Sequence, residues 1–169
     1  VSDLFSNKNQ QIIQGDSNKI LKELQKDTVD FIVTSPPYWN ILHKKDHKVR
    51  QEREGLGLDT KYSDHEADIG NIDNYEEFLD KLTKIFVKCE RVLKKDKYMN
   101  IIVSDFRNKE NYVMFHSDLI SKLTENSNFK LKNLKILYQR HKRVFPYGYP
   151  FSYVPNIHHQ YIIILQNKK

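Results

Sequence analysis

Apolar residues in this chain change their spacing several times, and each change predicts an element. Ile12 and Ile13 sit between glutamines and stop at Gly15-Asp16-Ser17, the pattern of a short strand ended by turn residues. Ile20, Leu21 and Leu24 follow at helical spacing, with Ser17 placed to cap the helix. Val29-Asp30-Phe31-Ile32-Val33 predicts a buried strand, stopped by Pro36-Pro37 because proline cannot donate to a ladder. Strand, short helix and strand make a β-α-β unit, and with it a mostly parallel sheet. Residues 40–72 show no period, are rich in charge and hold Gly55, Gly57 and Gly70. A loop of that length inside a compact domain is either functional or disordered. Periodicity returns after Asp73-Asn74, where Tyr75, Phe78, Leu79, Leu82, Ile85, Phe86, Cys89, Val92 and Leu93 share one helical face until Lys94-Lys95-Asp96-Lys97. Residues 98–103 predict a strand ending at Ser104-Asp105, and residues 112–123 a helix. Residues 129–138 and 159–165 predict two strands with no helical pattern between them, hence a final antiparallel hairpin.

Length and composition narrow the class. A chain of 169 residues, 38% hydrophobic and 30% charged, suits one soluble domain with a core. Its longest apolar runs are strand-sized, no secretory signal opens it, and the cytoplasm is the expected location. Cys89 is the single cysteine, which excludes disulfides within the chain and cysteine-ligated zinc, and its helical spacing makes it a packing residue. His43, His47 and His65 lie in the charged loop without a ligand spacing, so no metal is expected. An excess of 28 Lys+Arg over 22 Asp+Glu, +6 in all, favours a polyanionic partner. Val1 in place of methionine fits a start inside a longer polypeptide, or a start codon read as valine.

The segment with chemical content is Thr34-Ser35-Pro36-Pro37-Tyr38-Trp39. It follows a strand, and open α/β sheets bind ligands at the carboxyl ends of their strands. Two prolines lock the backbone. The Ser35 hydroxyl and the Pro36 carbonyl can each accept a hydrogen bond from one NH2 group, while Tyr38 offers a flat apolar face beside it. A nucleobase with an exocyclic amine, turned out of its stack, requires such a set. The plainer alternative is a strand stopped by prolines, with Tyr38 and Trp39 packed on the sheet edge.

Gly15-Asp16 followed by Val29-Asp30-Phe31-Ile32-Val33-Thr34-Ser35-Pro36-Pro37-Tyr38-Trp39 resembles the amino-methylating DNA methyltransferases, whose motif is Ser/Asn/Asp-Pro-Pro-aromatic. Asp68-Ile69-Gly70-Asn71-Ile72, Arg91-Val92-Leu93-Lys94, Val103-Ser104-Asp105, Tyr147-Gly148-Tyr149-Pro150 and His158-His159-Gln160-Tyr161 extend the likeness over nearly the whole chain. The serine form followed by Trp39 is most similar to the cytosine-N4 branch. The resemblance implies a class I methyltransferase (Rossmann-like) α/β fold, with a mostly parallel sheet and a terminal antiparallel hairpin. It implies S-adenosyl-L-methionine as cofactor and DNA as partner. It assigns Ser35, Pro36, Pro37 and Tyr38 to catalysis, Asp16, Thr34 and Asp105 to the cofactor, and Trp39 to the substrate. Asp16 is equally an Asx turn opening the helix, and Asp105 a cap for the next element.

One feature of the family is missing. Its Phe-x-Gly-x-Gly turn lets the backbone approach the methionine part of the cofactor. Here the sole Gly-x-Gly is Gly55-Leu56-Gly57, which lacks the strand-turn-helix context that such a loop requires. Residues 1–169 are therefore expected to be the target-base part of an incomplete methyltransferase domain, completed by a cofactor-loop segment of the same or a second chain. Arg140, Lys142 and Arg143 lead to Tyr147 and Tyr149, which suits a nucleic-acid groove or, equally, a solvated hairpin over a small aromatic cluster. The expected activity is methylation of the cytosine amine in DNA. The alternatives are adenine-N6 methylation and a nucleic-acid-binding subunit without activity.

Overall fold

A computed structural model of the chain describes residues 10–40, 54–57, 68–108, 111–142, 144, 146, 147, 150, 151 and 154–169. Helix α1 (Ser17–Glu23) is capped by Asp16, not by Ser17: the Asp16 carboxylate accepts from the Asn18 amide at 2.8 Å. Strand β1 (Val29–Thr34) follows, then helix α2 (Tyr75–Val92). Asn74 caps α2 by accepting from the Glu77 amide at 2.9 Å, and Glu76 and Glu77 set negative charge in its first turn. The chain then forms β2 (Leu93–Val103), a small hairpin of β3 (Phe106–Asn108) and β4 (Asn111–Val113), and helix α3 (Phe115–Asn126). Strand β5 (Phe129–Tyr138), a short pair β6 (Pro146–Tyr147) and β7 (Val154–Pro155), and β8 (His159–Asn167) complete it.

The main sheet has the order β1-β2-β8-β5. β1 and β2 are parallel, and β8 runs antiparallel to both β2 and β5. The sheet is therefore mixed rather than mostly parallel. The expected terminal hairpin is present, with Phe129 opposite Asn167 and Tyr138 opposite His159. These directions bring the carboxyl ends of β1, β2 and β5 to one rim, together with the amino end of β8.

Four expectations change. Residues 11–14 join no sheet among the described residues, and Ile12 and Ile13 are exposed. A strand needs a neighbour for its backbone groups, and these residues find none there. β1 is less buried than its composition suggests, because Phe31 and Val33 are 53% and 59% exposed on its uncovered face. β2 begins at Leu93, directly after α2, and the charged Lys94-Lys95-Asp96-Lys97 bulges out between the Val29–Leu93 and Phe31–Tyr98 pairs. Asp96 takes the left-handed conformation there (φ 61°), and its carboxylate accepts from Lys168 at 2.6 Å. α3 begins at Phe115, because residues 111–113 pair as β4 instead of starting the helix.

The core lies between the sheet and helices α2 and α3. Met99, Ile101 and Val103 of β2 alternate inward with Ile163 and Leu165 of β8, against Phe78, Leu79, Leu82 and Phe86 of α2 and Phe115, Leu119 and Leu123 of α3. No helix among the described residues is long and apolar enough to cross a membrane.

Candidate target-base site

The segment after β1 leaves the sheet at the shared rim and surrounds an open cleft of about 510 Å³. Its lining is Ser35, Pro36, Pro37, Tyr38 and Asp68. Burial along the segment changes residue by residue: Ser35 is exposed, Pro36 buried, Pro37 and Tyr38 half-buried, Trp39 and Asn40 buried. The serine thus meets solvent while the far end of the segment is anchored in the protein.

Two anchors explain this. Trp39 enters the core, edge-on to Tyr75 at 5.4 Å between ring centroids and tilted against Phe106 at 5.8 Å. Asn40 Nδ2 donates to Asp73 Oδ1 at 2.8 Å, which ties the segment to the start of α2. Tyr75 in turn donates to Asp118 Oδ2 at 2.8 Å, and burial together with that carboxylate raises its phenol far above the ordinary range. Trp39, expected at the substrate, has a ring only 5% exposed, which packs on aromatic neighbours beneath the motif.

Tyr38 remains at the cleft. Gln160 Nε2, near the start of β8, donates to its hydroxyl at 2.8 Å. Thr34 is half-buried as the last residue of β1, paired with Ile101.

Asp105 was expected either at the cofactor or as a cap for the next element. It follows β2 at the same rim but turns inward, 4% exposed. Its Oδ1 accepts from the His116 amide at 3.2 Å and lies 2.7 Å from His116 Nδ1, and its Oδ2 accepts from the Tyr112 hydroxyl at 3.2 Å. Met114 provides α3 with no side-chain cap, so Asp105 supplies one from a distance. His116 then stacks on Tyr161 at 3.7 Å between centroids, nearly parallel at 14°. These contacts are those of the capping role.

Asp16 stays exposed beside α1. Asn18, whose amide Asp16 holds, borders a second cleft of about 400 Å³ with Lys81, Lys84 and Lys88, and Asp68 borders both clefts. Asp16 and Asp68 can accept from an amine, whereas the three lysines can only donate. Gly55 and Gly57 sit in an isolated turn, where a methyl group added to either would meet nothing within 4 Å, and Leu56 is 74% exposed. Of the basic and aromatic candidates, Arg140 and Lys142 are exposed just beyond β5, at the rim that carries the motif. Tyr147 lies in β6, while Arg143, Tyr149 and the three loop histidines fall outside the described residues. Gln160, Asn40 and Asp68 were not assigned to the site from the sequence, although Asp68 and Gln160 lie in segments that carry the likeness and Asn40 adjoins Trp39.

Known proteins share this fold over part of their length. Residues 29–169 match the family model for N6/N4 DNA methylases. No curated protein matches in sequence. Among solved structures, a putative DNA modification methylase from Thermus thermophilus, TTHA0409, is 19% identical with a TM-score of 0.62, covering 92% of this chain and 51% of that one. PvuII DNA methyltransferase, described as cytosine-N4-specific, is 14% identical with a TM-score of 0.63, covering 94% of this chain and 49% of that one. The Thermus protein has also been solved with S-adenosyl-L-methionine, at a TM-score of 0.61. The chain therefore spans about half the length of the solved proteins it matches, and shares the α/β fold of that half.

Proposed function

We propose, starting from the fact that the chain belongs to the N6/N4 DNA methylase family, that it forms the target-base half of an S-adenosyl-L-methionine-dependent DNA methyltransferase acting on the N4 amine of cytosine. The observation that carries this reading is the open cleft lined by Ser35, Pro36, Pro37 and Tyr38 at the carboxyl end of β1, with the serine exposed and the tyrosine held.

The amine of cytosine is a poor nucleophile because its lone pair is delocalised into the ring. Ser35 Oγ and the Pro36 carbonyl each accept one of its two hydrogens, which holds them out of the ring plane and localises the pair on nitrogen. Tyr38 stacks on the base and fixes its angle of approach. A serine hydroxyl is not a base at neutral pH, so the proton departs after the nitrogen has gained its methyl group and a positive charge. The work of these residues is orientation and selective hydrogen bonding rather than proton abstraction. S-adenosyl-L-methionine, when bound, supplies the electrophilic methyl group. This chain fits only part of it, through Asp16, and a Phe-x-Gly-x-Gly segment of the same polypeptide or a second one completes the site. Arg140 and Lys142 serve the DNA backbone, whose phosphates a basic rim neutralises.

Cytosine is favoured over adenine by the serine at position 35 followed by Trp39. Weighing the nucleosides from DNA methylated by the complete enzyme decides the matter. N4-methylcytosine is the expected product. N6-methyladenine alone moves the chain to the sister branch, and unmodified DNA leaves a nucleic-acid-binding subunit.

A further inference from the structure

A stacking platform needs a flat ring, and a phenyl ring supplies the same face as a phenol. Tyr38 nevertheless has its hydroxyl engaged, by a residue far away in sequence. Gln160 Nε2 donates to it at 2.8 Å. The strand registers show how the two meet. β2 lies between β1 and β8, and its last residue paired to β8 is Val103, opposite Tyr161. Gln160 stands one residue nearer the rim, opposite Leu137 of β5. At that level β2 has already turned away at Ser104-Asp105, so the Tyr38 side chain reaches past its end to β8.

The strand that carries Gln160 is itself held there. Ser104 Oγ donates to the His159 carbonyl at 3.2 Å. Tyr161 is gripped on one side by the His116 stack and meets the His159 ring edge-on at 4.9 Å. Gln160 is half-buried between these two positions, and its amide is therefore a rigid reference point for the Tyr38 ring.

We propose that Gln160 is a positioning residue, whose amide fixes the Tyr38 ring in the orientation that stacks on the target base. The proposal rests on the reading of Ser35 to Tyr38 as the target-base site. A ring tethered at both its Cβ and its hydroxyl cannot swing away when the base enters, and binding sites need their groups held to within tens of degrees.

Two measurements test it. The first uses the 169-residue chain labelled with fluorotyrosine, where the Tyr38 resonance is the one lost in Tyr38→Phe. Gln160→Leu should shift that resonance, and Gln160→Glu, whose carboxylate accepts from the phenol, should restore a tethered signal. The second measures methyl transfer to unmethylated plasmid DNA by the complete enzyme. Gln160→Leu and Tyr38→Phe should each lower kcat by about 10-fold, the effect of one hydrogen bond, with KM for DNA within about 2-fold. The double variant should be no slower than either single one, and Gln160→Glu should recover activity only where Tyr38 is intact. An unshifted resonance overturns the contact. A raised KM with unchanged kcat overturns the role, making Gln160 a DNA contact instead. An active parent indifferent to Gln160 removes this inference alone, whereas an inactive parent removes the functional reading and the role together.

Discussion

Replacing Asp105 with alanine should destabilise the fold by about 3 kcal/mol. The figure is built from its partners. Asp105 is the remote cap of α3 through the His116 amide, and losing a cap costs about 1 kcal/mol. The second bond, to His116 Nδ1 at 2.7 Å, joins a carboxylate 1% exposed to an imidazole 16% exposed, and a hydrogen bond to a charged group contributes about 2 kcal/mol. The Tyr112 hydroxyl adds little, because that residue is 42% exposed and can turn to water. In a chain of this size, about 3 kcal/mol lowers Tm by roughly 6–12 °C. Asp105→Asn keeps the volume and one acceptor, and should cost about half as much. Urea denaturation followed by circular dichroism measures both. A second readout is independent of stability. The Tyr112 phenol is pushed up to about 12, by burial first and by the Asp105 charge and hydrogen bond next. Ultraviolet titration of Asp105→Asn should show that value falling toward the ordinary 10. An alanine variant within about 0.5 kcal/mol of the parent would refute the capping role and return Asp105 to the ligands.

Further outcomes follow from the same geometry. Ser35→Ala should lower kcat of the complete enzyme by about 10²- to 10³-fold, as for other lost acceptors and donors at a reacting group, with stability within about 0.5 kcal/mol because Ser35 is exposed. A variant that unfolds while residual folded material keeps full activity would make the serine structural. Calorimetry on the 169 residues alone should find weak binding of S-adenosyl-L-methionine or none, and tight binding by a monomer would defeat the partial-cradle reading. Cys89, pushed up to about 11 by burial, should react with a disulfide reagent only as fast as the protein opens. Asp27, Asp30, Asp80 and Asp96 are each lowered below 3.8, chiefly by hydrogen bonds from lysines. The unfolded chain then binds protons more readily, so their stabilisation is present above that value and is lost as pH falls through the lowered values. Since all four are exposed, the loss should be small and should shrink in high salt.

How far the sequence revealed this arrangement depended on the range of the signal. α2 was legible because its apolar residues repeat at helical spacing over 18 positions and Asn74 caps it. The terminal hairpin was legible because two long β-rich runs had nothing helical between them. The bulge was not. The excursion of Lys94-Lys95-Asp96-Lys97 reads locally as a helix terminator, and only the pairing of β2 with β1 turns it into a bulge. Asp105 was legible as a cap only as one of two roles, because the helix it serves starts ten residues later. Within the site, the Ser35 to Tyr38 segment could be found from its place after a strand. The opposite destinations of Tyr38 and Trp39 could not, since adjacent aromatics after Pro-Pro look alike until Tyr75 and Phe106 enclose one of them. Gln160 was hidden for the same reason. A polar residue at a strand start is ordinary until the rim brings it to the tyrosine.

The two faces of the sheet differ in a way that bears on function. Met99, Ile101, Val103, Ile163 and Leu165 are covered by α2 and α3, and Trp39 joins that same core. By strand alternation the opposite face carries Phe31, Val33, Tyr98, Ile102, Ile162 and Ile164, of which Phe31, Val33 and Tyr98 are exposed and the rest half-buried. Sheets of this class bury both faces, and β1 has no partner on its far edge among the described residues. The target-base segment is thus anchored through Trp39, Asn40 and Tyr38 to α2, the covered core and β8. None of these anchors depends on the uncovered face or on the free edge. In a chain spanning about half of its solved relatives, the proposed target-base residues are therefore held without the second face, and on that proposal cofactor capture would fall to a segment that covers this face and extends the sheet beyond β1.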